Sequence, residues 1–91
     1  METRYLYKVT GINSIMTERI ILDQDILAGK PIIRGTRISV EFILELLSSG
    51  MNIEEILKEY SHLKREDILA ALEYATRVLR HEEIYSTVQL A

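Results

Sequence analysis

The chain has no cysteine, a single proline, little aromatic content and no long hydrophobic run. Without cysteine there is neither a disulfide nor a thiolate metal ligand, so stability has to come from packing. That composition fits a reducing compartment. No apolar run reaches the roughly 20 residues of a membrane-spanning helix. The opening Met1-Glu2-Thr3-Arg4-Tyr5 lacks the apolar stretch of a signal peptide. A soluble cytoplasmic protein with no membrane partner is therefore expected. An excess of basic charge is missing as well: 11 Lys and Arg stand against 14 Asp and Glu, a net charge of −3. This argues against a broadly basic, non-specific nucleic-acid binder and leaves room for local contacts from a basic loop.

Catalytic signals are equally sparse. His62 falls in a helix-helix turn and His81 at a helix end, and neither has metal-ligand spacing. Asp23 and Asp25 read as an exposed turn. Gly29-Lys30 lacks the upstream glycine and the following Ser or Thr of a phosphate loop. No nucleophile, base and orienting group can be assembled. The expectation is a non-enzymatic protein with no catalytic residue, metal or cofactor.

What is present begins with size. Ninety-one residues make one domain. A chain this short buries only about 60–65% of its unfolded surface. With 47% apolar residues, it has a motive to form a homodimer or higher oligomer.

Residues 29–40 hold the single proline, two of the four glycines, and the cations Lys30, Arg34 and Arg37. Gly29 and Pro31 make a rigid entry. Ile32-Ile33 and Ile38 with Val40 are short apolar pairs around a turn at Arg34-Gly35-Thr36. This pattern predicts a tight β-hairpin running into an amphipathic helix. A further short strand is expected over residues 19–22. Tyr5, Tyr7 and Val9 alternate in a possible strand within residues 1–15, an N-terminal extension broken before Met16, which is itself a candidate start.

Three helices follow. Residues 40–49 place Val40, Ile43, Leu44 and Leu47 on one face, with Ser39 as N-cap and Gly50 just past the end. Residues 53–60 start at the capping-box pair Asn52 and Glu55. Residues 65–81 carry Ile68, Leu72, Ala75 and Leu79 as the expected core stripe, with Glu73 and Arg77 paired on the outer face. Lys64 is a poor cap. The fold class is mostly α: a homeodomain-like, helix-turn-helix trihelical core behind a short N-terminal β-hairpin region. Residues 16–81 form the domain and residues 82–91 a tail.

The spaced residues Gly29-Lys30-Pro31, Arg34-Gly35-Thr36-Arg37 and Val40 carry a resemblance. It continues through Gly50, Glu55-Ile56, Tyr60, Leu63, Glu66-Asp67-Ile68, Ala71-Leu72 and Tyr74-Ala75. With these the chain resembles the prokaryotic DUF433 family, whose members are also described as VapB-like antitoxins with a helix-turn-helix core. Gln24 and Ser61 stand where the family often has proline, and Lys64 where it often has a Ser or Thr cap. The resemblance implies an antitoxin in a toxin-antitoxin system. Such a protein would silence a PIN-like ribonuclease toxin and bind operator DNA.

Two sets of residues are candidates for these contacts. For DNA, the cations Lys30, Arg34, Arg37, Lys64 and Arg65, with Thr36 in the turn, would meet phosphate. The structural alternative is that the arginines tie the hairpin to a carboxylate or to carbonyls. For a partner or dimer interface, Phe42 and Leu46 lie off the main stripe of the first helix. Ala71, Tyr74 and Val78 lie off that of the third, and Tyr85 is an aromatic anchor in the tail. The alternative is that these side chains cover one another. A stand-alone DNA-binding regulator, or a structural dimer with neither activity, are the competing functions.

Overall fold

The computed structural model describes residues 18–81. The readings placed on the N-terminal extension and on the tail, including Tyr85, lie outside the described residues. Two strands, β1 (Ile20–Leu22) and β2 (Pro31–Ile33), pair antiparallel with Ile20 opposite Ile33 and Leu22 opposite Pro31. Pro31, which lacks an N–H, sits at the first position of its strand, where the loss is tolerated. Three helices follow: α1 (Val40–Ser48), α2 (Ile53–Glu59) and α3 (Arg65–Leu79). α1 packs chiefly on α3 and β2, while α3 also meets β1 and α2.

The expected tight hairpin is corrected in its pairing. The turn at Arg34-Gly35-Thr36 exists, but the strand partner of β2 is β1, across a connection that includes a short 3₁₀ turn at Leu27–Gly29. On the other side of β2 there is one isolated bridge, Ile32 to Ser39, and Val40 already opens α1. Thr36 closes the turn. Its hydroxyl donates to the Ile33 carbonyl at 2.8 Å and accepts from the Ile38 N–H at 2.9 Å. Gly35 has φ +81° and open space where a Cβ would lie, so its requirement is backbone conformation rather than room.

The helix starts and stops follow the sequence closely. Ser39 Oγ accepts from the Phe42 N–H at 2.9 Å, and Asn52 and Glu55 make both bonds of their capping box. At the end of α1, Gly50 at φ +105° lets Met51 N–H reach the Leu46 carbonyl and Gly50 N–H the Leu47 carbonyl, a Schellman closure. Lys64 offers no side-chain acceptor. Instead Asp67 reaches back to accept from the Lys64 N–H at 2.9 Å, which is half a capping box.

The core is built on isoleucine: Ile32, Ile33, Ile43, Ile56 and Ile68 are the largest fully buried side chains. Each such burial is worth roughly 1.5–3 kcal/mol. The expected stripe of α3 is only half right. Ile68 is fully buried and Ala75 half-buried, but Leu72 is 39% exposed and Leu79 79% exposed. The buried side of α3 instead holds Asp67, Ile68, Ala70, Ala71 and Arg77, with Tyr74 packed at its edge. Small alanines let neighbouring elements approach closely, so the contact forms over them and turns the larger leucines outward. Glu73 and Arg77, expected on the outer face, are a largely sheltered pair at 3.2 Å with side chains 24% and 10% exposed. α3 ends at Leu79, short of the expected His81, which takes a left-handed φ of 59° beyond the helix.

Candidate functional site

The turn after β2 is held from three directions. Arg34 N–H donates to the Arg19 carbonyl at 2.7 Å, Arg34 Nε donates to the Glu18 carbonyl at 2.7 Å, and Thr36 locks the reversal. The structural reading of Arg34 therefore holds for its Nε, and its terminal nitrogens lie at an exposed position. Arg37, two residues past Gly35, is exposed and forms no ion pair or hydrogen bond through its side chain among the described residues.

Arg19 connects this turn to α3. Its Nη1 donates to Asp67 Oδ1 at 2.9 Å, and Asp67 is 5% exposed. Both Asp67 oxygens are thus used, one by Arg19 and one by the Lys64 N–H. Burying a carboxylate this deeply is costly unless its oxygens are paired and hydrogen-bonded, as they are here. The run from Arg34 N–H through Arg19 and Asp67 to Lys64 N–H fixes the turn relative to the start of α3. Arg19 was not singled out from sequence, and Asp67 stood only among the residues that carry the family resemblance, without a partner. Their link spans 48 positions, and no local pattern marks it.

Two of the remaining predicted cations are already paired. Lys30 pairs with Glu41 at 3.0 Å and Arg65 with Glu54 at 3.6 Å, all four side chains exposed. Lys64 is exposed and takes no ion pair among the described residues. The fold thus joins Arg34, Thr36 and Arg37 in one turn and ties that turn to the segment of Lys64 and Arg65. Lys30 is drawn instead to α1.

Most of the predicted partner surface packs against this chain's own core. Ala71 is fully buried, and Leu46 and Tyr74 pack half-buried on the core. Phe42 meets Tyr60 edge to face, ring centroids 5.7 Å apart. These side chains cover one another inside the molecule. Burial raises the Tyr74 phenol above the ordinary tyrosine pKa of 10.0. Of the described members of that set, Val78 is the exposed one, at 47%. The apolar surface missed from sequence is the outer side of α3, with Leu69 37% and Leu72 39% exposed. Of this surface, Leu72 was read from sequence as part of the core stripe, and Leu69 was given no role.

Among the described residues no group of three or more His, Cys, Asp or Glu is placed to hold a metal ion. No described helix is long and apolar enough to cross a membrane.

Comparison with known proteins supplies the family. A search of curated proteins finds no match. Among solved structures, the chain is similar to a DUF433 member protein from Anabaena variabilis ATCC 29413, with a TM-score of 0.65 and 25% identity over 88% of this chain and 75% of that one. The family model described as "Protein of unknown function (DUF433)" matches residues 20–75, from β1 into α3. The match takes in the turn, all three helix starts and the buried side of α3 as far as Ala75, and on this ground the chain belongs to the DUF433 family.

Proposed function

We propose that this chain is a non-enzymatic, antitoxin-type binding protein of the cytoplasm that neutralises a PIN-like ribonuclease. The reading joins the family's resemblance to antitoxins with one observation: Arg37 stands on a turn fixed by Arg34 and Thr36, with no partner for its side chain among the described residues. A PIN-like active site gathers carboxylates around a divalent cation. A guanidinium presented by a rigid turn can bind such carboxylates in bidentate fashion and compete with the metal, losing little conformational entropy in doing so. Arg34, whose Nε is already anchored, would add charge beside it.

The test is co-expression with the product of the neighbouring gene, followed by pull-down and an RNA-cleavage assay. A stable complex with suppressed cleavage is expected, and Arg37→Ala should restore cleavage at least partly. Absence of a complex with the wild-type chain would overturn the reading. Operator binding is a second activity that the same turn favours, through Arg34, Arg37 and the nearby Lys64. Removing each phosphate contact should lower the salt dependence of binding by about one.

A further inference from the structure

The outer side of α3 is spaced like a helix-helix seam. Leu69, Leu72, Thr76 and Leu79 recur at intervals of three, four and three, the alternation that keeps one stripe facing a partner helix. The leucines are 37%, 39% and 79% exposed. Thr76 fits the stripe because its hydroxyl already donates to the Leu72 carbonyl at 2.9 Å, which satisfies its polar atom within the helix. α1, α2 and β1 all pack around the opposite side of α3, where Ile68, Ala70 and Ala71 are buried. The stripe is therefore additional to the core.

We propose that this stripe is a self-association surface, on which α3 packs antiparallel against α3 of a second copy. Charge selects both the occupant and the direction. Continuing the spacing toward the N-terminus places Arg65 at the next seam position. A parallel pair would stack Arg65 on its own copy in the seam. An antiparallel pair that sets Leu69 against the partner's Leu79, and Leu72 against the partner's Thr76, carries Arg65 past that overlap. It also brings Glu66 alongside the partner's Arg80 at each end of the seam, while Glu73, which the same register sets beside its own copy on the twofold axis, is neutralised by Arg77 of its own chain. A 15-residue helix is about 22 Å long. A seam of that length buries less than the roughly 1,600 Å² of a standard interface, so the dimer should dissociate in the micromolar range. The inference deepens the reading as a binding protein by assigning one surface to self-association, which leaves the Arg34–Arg37 turn free for another partner.

Sedimentation velocity on the full chain across micromolar concentrations tests the association. A reversible dimer is expected, with Leu72→Glu weakening it by about tenfold or more. Circular dichroism at low concentration should show Leu72→Glu still folded, because the site is exposed in the monomer. Direction is tested by disulfide capture, which the absence of native cysteine keeps unambiguous. On mixing Leu69→Cys with Leu79→Cys, an antiparallel pair gives the mixed disulfide, whereas each variant alone leaves its two sulfurs about 15 Å apart along the axis. Homodisulfides of either variant would overturn the antiparallel arrangement. A monomer at every concentration would overturn self-association altogether. So would a dimer that appears only when residues 82–91 are removed, since the chain's own end would then be the occupant. A monomer that still captured the product of the neighbouring gene and lost it in Leu72→Glu would give the stripe to that partner, leaving the proposed function intact.

Discussion

The two sides of α3 differ in what they are made of and in what they do. The inward side is assembled from small or unexpected side chains: Ala70, Ala71, the charged Asp67 and Arg77, with Ile68 as its one large aliphatic group. The outward side carries three of the helix's leucines, all more than a third exposed. Hydrophobicity alone would turn the helix the other way round. The difference shows that close approach, together with satisfaction of one buried carboxylate, can outweigh the transfer of two or three leucines from water.

The comparison is most easily broken at adjacent positions. Ile68→Ala removes a fully buried side chain and should cost about 2–5 kcal/mol by chemical denaturation. Leu69→Ala, one position along, should stay within about 0.5 kcal/mol at concentrations where the chain is monomeric. Similar losses at both positions would mean that the helix is oriented otherwise. Asp67→Ala comes next. It removes the partner of Arg19 and the half capping box together, and an unfolding free energy lower by roughly 1–3 kcal/mol, read as a lower midpoint, is expected. An unchanged midpoint would show that the polar part of the inward side is ornamental. The smallest effect belongs to Tyr74. Burial raises its phenol above 10.0, so the folded state holds the neutral form after the unfolded chain has begun to ionise. The resulting stability is present in full below the unfolded pKa and is lost as pH rises through the folded one. A difference titration of phenolate absorbance between wild type and Tyr74→Phe checks this. A missing phenol that titrated at or below 10.0 would place Tyr74 on the wrong side of the comparison.

Much of the fold is written locally. Ser39, Asn52 with Glu55, and Gly50 mark where helices begin and end, and the structure uses each of them with the bonds their positions require. Strand pairing was less legible. Two apolar pairs flanking a turn look like a hairpin by themselves, yet that side of β2 makes only one bridge, while β1 forms the ladder on its other edge, and nothing in the residues ranks the two. The face of α3 was the hardest to read, because its orientation depends on Arg19, far away in the chain. The turn in the candidate site could be read from Gly35 and Thr36, whereas which of its arginines would be committed to a carbonyl could not.

The bond between Arg19 and Asp67 also sets the smallest piece that can behave as this protein does. It joins the first described residues to the last helix across 48 positions, so neither end can reach its final form alone. A fragment cut to residues 20–75, the span of the family match, would retain all three helix starts yet lose the guanidinium that neutralises Asp67 and the Glu18 carbonyl that anchors Arg34. Unfolding should accordingly be a single cooperative event, with the hairpin and α3 protected from hydrogen exchange to a similar degree.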